Sequence, residues 1–387
     1  EYDTRQFSLA CDLTRRSALL LMSAYIIRRL LLMVPTLFAI MLINFLVIQI
    51  APGGPVEQMI SQITGVGADI TERVSRTGTT EALSSPATSD AFSSKYRGAQ
   101  GLDPDFIQEL EKRFGFDKPL HERFFSMMKK YLKLDFGESF FRDRSVVDLV
   151  LDKMPVSISL GVWTTLLVYL ISIPLGIAKA VRDGDRFDIW TSLLVVIGTA
   201  IPSFLFAVFL LVIFAGGSYM DWFPLAGITS ENWDNLSWPS KIMDYFWHLA
   251  LPVLAMTIGG FATLTMLTKN SFLDQIHQQY VMTARAKGLT ERKVLYGHVF
   301  RNAMLIVIAG FPAAFIGILF TGSLLIEIIF SLDGLGLLGF EAAFARDYPV
   351  MFGTLFFFSL LGLVMSLIGD LTYTLIDPRI DFERQER

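Results

Sequence analysis

The stretch Gln279-Tyr280-Val281-Met282-Thr283-Ala284-Arg285-Ala286-Lys287-Gly288-Leu289 is a polar run of mostly small residues closed by a glycine, set in a strongly apolar C-terminal half. A second helix-competent run, 291–302, follows at once and leads into another apolar segment of membrane length. Helix, glycine break and helix between two spans predict a knob outside the bilayer, not a pore lining. A knob of this kind suits docking of a soluble partner.

The composition sets the frame for that reading. Of 387 residues, 52% are hydrophobic and 18% charged, with 33 Phe and a mean hydropathy of +0.49. So much apolar surface with so few charges excludes an ordinary soluble domain and points to an all-α integral membrane protein. Cys11 is the one cysteine, which excludes a disulfide framework or a multi-Cys metal site. The four histidines, His121, His248, His277 and His298, show no metal-ligand spacing. Basic residues form no nucleic-acid-like patch; solvated loops and membrane flanks account for them.

Six segments approach the roughly 20 apolar residues a bilayer requires, over 30–50, 156–178, 189–215, 246–267, 303–330 and 351–376. Each carries Gly, Pro or an isolated polar group, as helices packed around a pathway do. With the N-terminus inside, the inner segments hold about 17 basic residues, while the two short outer connections hold Lys241 and Arg346 alone. That asymmetry puts both termini and the knob in the cytoplasm. The domains then read as a cytoplasmic segment 1–29, a first span 30–50, an extracytoplasmic region 51–155, a core of five spans over 156–378 containing the loop 269–302, and a cytoplasmic tail 379–387. Residues 1–21 read as a loose polar extension, and Met22 as a natural start position. The patch Leu19-Leu20-Leu21-Met22 is too short for a span and is not read as a signal peptide.

On the outer side, 61–101 is rich in Ser, Thr, Gly and Ala and reads as flexible. A helical pair is expected over about 103–134. Its first helix has Phe106, Ile107, Leu110 and Phe114 on one face before Gly115, and its second has Leu120, Phe124, Met128 and Leu132. Packing on the outer mouth and lying in the membrane interface both fit this pair. Trp222, Trp233 and Trp238 fit interfacial anchoring or cargo contact.

Several motifs in fixed order resemble one family. Tyr280-Val-Met-Thr-Ala-Arg-Ala-Lys-Gly-Leu289, then His298-Val-Phe-Arg-Asn-Ala303, is similar to the coupling loop of permeases from binding-protein-dependent ABC importers, in the dipeptide/oligopeptide group. Arg28-Arg29-Leu30 with Pro35-Thr36, Ala51-Pro-Gly-Gly-Pro55, Gly115-Phe-Asp-Lys-Pro-Leu120 and Asp135-Phe-Gly-Glu-Ser139 bracket it on one side. Gly334-Leu-Gly336, Arg346-Asp-Tyr-Pro349 and Asp377-Pro-Arg-Ile380 follow on the other. Within the group, the long outer insert and Leu267-Thr-Lys-Asn-Ser-Phe-Leu273 look most like the B-type permeases of microcin C/oligopeptide importers. Met282, Leu305-Ile306 and Asp333 depart from the usual pattern.

The resemblance implies the type I importer permease fold with six transmembrane helices and a long insert after the first. It implies a homologous second permease, an ATPase with two nucleotide-binding domains, an extracytoplasmic peptide-binding protein and peptide cargo, in a bacterial inner membrane and in contact with its lipid. The ATPase-docking residues it implies are Tyr280, Thr283, Ala284, Arg285, Ala286, Lys287, Gly288 and Leu289. Ala284 and Ala286 would allow close approach, Gly288 the turn, and Arg285 and Lys287 attraction to an acidic rim. No Gly-x-x-x-x-Gly-Lys-[Ser/Thr] loop occurs, so ATP is expected on the partner and no cofactor on this chain.

Polar and aromatic residues inside spans complete the reading. Phe311, Phe315 and Phe320, with Gly317 and Gly322, are candidates for a gate wall, against plain aromatic packing. Glu327 and Asp370 are pathway candidates as well: for Glu327, snorkelling or an interhelical hydrogen bond competes with that role, and for Asp370, pairing with a basic group of the second permease is the other reading. No Ser/His/Asp or metal cluster argues for a membrane-embedded enzyme. The two carboxylates leave an ion-gradient-coupled secondary transporter as the alternative.

Overall fold

Every regular element among the described residues is helical, apart from an isolated bridge between Glu138 and Ser145. The computed structural model describes residues 2–50, 54–63, 104–113, 115–215, 219–321 and 324–376. Along the chain the helices are α1 (Tyr2–Ile50), α2 (Pro55–Ile63), α3 (Pro104–Arg113), α4 (Leu120–Tyr131), α5 (Val146–Val181), α6 (Arg186–Ala200), α7 (Ser203–Phe214), α8 (Trp238–Ile276), α9 (Gln279–Ala286), α10 (Glu291–Val294), α11 (Phe300–Ala309), α12 (Phe311–Thr321), α13 (Leu324–Ile329), α14 (Leu335–Ala345) and α15 (Tyr348–Ile376). A π-helical stretch, Leu295–Val299, joins α10 to α11. Of the expected features, most of the flexible stretch 61–101, Phe114, Gly322, the Phe320 side chain and the tail 379–387 lie outside the described residues.

Among the described residues, five helical runs are long and apolar enough to cross a bilayer: Ala24–Gln49, Val146–Val181, Trp238–Ile276, Glu291–Gly317 and Tyr348–Thr372. The expected span 189–215 is broken instead, with α6 and α7 bent by 92°, so the total is six if this pair counts as one span. Pro202 is the cause. It offers no N–H to continue the helical ladder and holds Ile201 in an extended conformation, φ −91° and ψ 116°. The fifth span also starts earlier than expected, because the knob's second helix runs through the π stretch into α11 without a break.

The N-terminus departs from its expectation as well: α1 is helical from Tyr2, where a loose extension was expected over 1–21. No Pro or Gly interrupts the chain before Pro35, so a helix begun in the span can propagate backwards through Leu19, Leu20 and Leu21. With 36 and 39 residues, α5 and α8 run about 54 and 58 Å, well past a hydrocarbon core of roughly 30 Å.

The chain divides into two compact units. One comprises 34–149 and 339–357. In it Tyr131, Phe136 and Phe356 pack as a triangle of rings 4.9–5.4 Å apart. Gly353 lies so close to Val146 that a Cβ would come within 2.6 Å of its methyl group. Two sequence motifs meet here: the Asp347 carboxylate accepts the Ser139 hydroxyl and, at 3.2 Å, the Phe140 N–H. The Arg123 guanidinium stands 3.9 Å over the Phe116 ring and reaches Gln49. On α4 the buried stripe runs through Phe124 and Tyr131, while Leu120 and Leu132, expected on that face, are exposed.

The other unit comprises 1–33, 150–338 and 358–387. Its apolar core has two parts. One gathers Leu160, Leu210, Leu249, Ala255, Ile326 and Leu332. The other gathers Val168, Ile177, Leu264, Phe272, Ala303 and Val307 at the opposite ends of α5 and α8. Helices α5 and α8 touch at Gly176, where a Cβ would lie 2.6 Å from Thr268 and 2.8 Å from the Thr265 carbonyl.

Candidate functional site

The expected knob is α9, a turn at Gly288, and α10. One face of α9 is not available to a partner. Val281 and Ala284, three residues apart, are buried with Phe272 of α8, Ile177 and Ala180 of α5, and Val294, Val299 and Ala303. Ala284 is therefore corrected: its small side chain lets α9 lie against its own body. The opposite face presents Met282, Thr283, Arg285, Ala286, Lys287 and Gly288. Tyr280 and Leu289 are half-buried, and the Tyr280 hydroxyl donates to Gln275 at 2.9 Å.

Gly288 takes φ +80°, and its N–H donates to the Arg285 carbonyl at 2.9 Å, closing α9. A Cβ there would meet nothing within 4 Å, so the glycine is needed for conformation, not for space. Across this turn the Arg285 guanidinium forms a two-pronged pair with Glu291, at 2.9 and 3.0 Å. Arg285 thus clamps the two short helices together, and Lys287, Arg292 and Lys293 stand exposed beside it.

Behind the knob lies a cluster of buried charges that the span reading missed. Lys179, in the last turn of α5, is fully buried and lies 2.8 Å from the Asp188 carboxylate at the start of α6. It also donates to the Asp188 carbonyl, Thr191 and Ser192. Lys269 of α8 reaches the other Asp188 oxygen at 2.7 Å and Asp183 at 2.8 Å. The Gly184 N–H donates to Asp188 as well. Both lysines counted in sequence as flanking charges of inner loops. Their signal was present: each follows an apolar or Thr-rich run with no charged neighbour, as in Gly176-Ile-Ala-Lys179 and Leu267-Thr-Lys269.

The gate candidates separate into three situations. Phe311 meets Tyr169 edge-on at 5.2 Å and stacks on Phe315 at 6.4 Å. Tyr169 lines an apolar cavity of about 460 Å³ bordered by Gly259, Gly260, Thr263, Gly310 and Gly317, with Ser203 at the start of α7. Glu327 is fully buried, and of the readings left open in sequence the interhelical hydrogen bond is the one its contacts match. Its carboxylate accepts the Leu337 N–H at 2.7 Å, in the first turn of α14, and the Ser157 hydroxyl at 3.3 Å. Negative charge at a helix start is favourable, and Ser157 in turn accepts the Leu335 N–H. Gly334 sits so close that a Cβ would fall 2.4 Å from the carboxylate carbon, which explains the first glycine of the Gly-Leu-Gly motif. Asp370 finds partners in its own chain: Arg29 at 2.9 Å and the Tyr25 hydroxyl at 3.0 Å. The basic partner expected on a second permease is supplied by α1.

Long apolar helices, a broken span and a self-braced knob between the fourth and fifth spans define a multi-span helical membrane protein. The chain belongs to the family of binding-protein-dependent transport system inner membrane components, whose family model matches residues 172–382. It is a multi-pass inner membrane permease of the ABC transporter class. It is 63% identical to the peptidoglycan transport system permease protein YejB of Agrobacterium fabrum, over 94% of this chain and 100% of that protein. It is 59% identical to the inner membrane ABC transporter permease protein YejB of Escherichia coli O157:H7, over 94% and 100%. The oligopeptide transport system permease protein AppB of Bacillus subtilis is 32% identical over 93% of this chain and 100% of its own length.

Proposed function

We propose that this chain is one of two homologous permease subunits of an ATP-driven importer for peptides or peptide conjugates. Both termini and the knob lie in the cytoplasm. The exposed face of α9, with Thr283, Ala286, Lys287 and Gly288, enters a groove on an ATPase that carries two nucleotide-binding domains and binds the ATP. An extracytoplasmic peptide-binding protein delivers the cargo, and affinity for cargo resides there. The observation that carries this reading is the construction of the knob: one face buried against three spans, the other presented, and the turn clamped by Arg285 and Glu291. A push on such a knob reaches α5, α8 and α11 directly. The peptide class rests on the names of the relatives.

Co-purification of an ATPase with the chain and ATP-dependent peptide uptake in oriented vesicles test the reading. Gly288→Trp is expected to abolish ATPase association and uptake while membrane insertion stays intact, because a bulky side chain projects from the docking face. Normal uptake by that variant, or uptake driven by a proton gradient with no ATPase present, refutes it.

A further inference from the structure

The buried charges between the knob and the broken span have a geometry that helix packing alone does not require. Burying an ion pair gains little stability over apolar side chains of the same volume, so Lys179, Asp188 and Lys269 are poorly explained as glue. What they do is cross-link. Asp188 bridges the two ammonium groups, one on α5 and one on α8, from the first turn of α6. On the α8 side, Lys269 lies one turn from Phe272, which is fully buried in the cluster that holds the knob residues Val281 and Ala284. On the other side, α6 runs to the extended joint at Ile201, beyond which Ser203 of α7 borders the 460 Å³ cavity. A continuous chain of contacts thus leads from the knob to a helix pair already bent by 92°.

We infer that the Lys269–Asp188 pair is the link that transmits movement of the knob to α6 and α7, making these two residues positioning residues for transport. The inference rests on the docking role proposed for the knob. In mechanical terms, α8 moves with the knob through Phe272, Lys269 pulls Asp188, and the Ile201–Pro202 joint turns that pull into a swing of α7 against the cavity wall. Lys179, on α5 beside Ala180 of the same cluster, holds the Asp188 carboxylate and carbonyl and keeps α6 in register on α5.

The decisive variant is Lys269→Gln in the full chain, assembled with its partner subunits in vesicles. It removes the charged link to α8 while the packing of α6 on α8, at Gly198 against Ile258 and Phe261, and the Asp188–Lys179 pair remain, and Asp183 is half-exposed and can be solvated. Expected are unchanged ATPase co-purification, near-normal ATP hydrolysis stimulated by the binding protein, and a loss of about tenfold in peptide taken up per ATP hydrolysed. Lys269→Arg, which can bridge both carboxylates, is expected to restore that ratio. An unchanged ratio in Lys269→Gln overturns the inference. So does a parallel fall of hydrolysis and uptake, or loss of the variant from the membrane, since Lys269 then serves folding or docking. If the wild-type chain itself binds no ATPase, the knob reading fails first, and that result is read from the wild-type control alone.

Discussion

Glu327 and Asp188 are two buried carboxylates in the same unit, held by different chemistry near opposite ends of α5. Their α5 partners, Ser157 and Lys179, are about 33 Å apart along the helix, close to the thickness of a hydrocarbon core. Glu327 meets a backbone N–H and a hydroxyl within the turn that follows its own helix and at the α5 helix it packs on. It finishes a local structure by capping α14. Asp188 meets two ammonium groups from two helices and a backbone N–H from the preceding turn. It ties α5, α6 and α8 together by charge, in addition to their packing at Gly176 and Gly198. A buried acid in a membrane span is therefore not by itself a pathway residue; the kind of donor it meets tells which task it has.

The sharpest way to break this comparison is to remove the bridging acid. Asp188→Ala leaves Lys179, fully buried, without its carboxylate, and an uncompensated buried charge costs about 3–5 kcal/mol. A large drop in the detergent melting temperature of the purified chain is expected. A drop no larger than that of an ordinary surface variant would mean that Lys179 reaches water in the folded protein and that the cluster is not a closed one.

The capping acid is tested through the glycine against it. Gly334→Ala places a Cβ 2.4 Å from the Glu327 carboxylate carbon, so the carboxylate or the turn must shift. Overpacking of this kind costs about 1–3 kcal/mol. The loss should be read as a lower melting temperature with the ratio of uptake to ATP hydrolysis unchanged. A changed ratio with intact stability would give Glu327 a part in transport and erase the contrast with Asp188.

The sequence made the helical class, the membrane crossings and the knob legible, for physical reasons that are easy to trace. Apolar runs of membrane length report on the solvent, and the Gly288 break between two helix-competent runs reports on the backbone. The bend at Pro202 was equally local in origin, yet 189–215 was read as one span because hydropathy averages over a window and ignores a missing N–H. The rest depended on which helices come together. Asp370 with Tyr25 and Arg29, Glu327 with Gly334, and Asp188 with Lys269 are pairs whose meaning lies in long-range contact. Lys179 and Lys269 were assigned to water because lysines at span ends usually snorkel, and only the packing of α6 beside them reveals a buried acid. Ala284 is a finer case: a short helix before Gly288 is legible in the run 279–288, but which of its faces turns inward is set by the packing of α5 and α8.

The smallest expected effect concerns the knob itself, and it separates the two uses of glycine in this molecule. Gly334 is needed for space and Gly288 for a left-handed backbone at φ +80° with open surroundings. Gly288→Ala therefore forces a side-chain-bearing residue into that conformation at a cost of about 1–2 kcal/mol, without a clash. The buried face of α9 and the Arg285–Glu291 clamp remain to hold the turn. Melting should fall by less than in Gly334→Ala, whereas ATPase co-purification and uptake should fall together by a few-fold, because part of the cost falls on the shape of the docking face. Equal behaviour of Gly288→Ala and Gly288→Trp would indicate that the turn alone, and not the room above it, is what the ATPase reads.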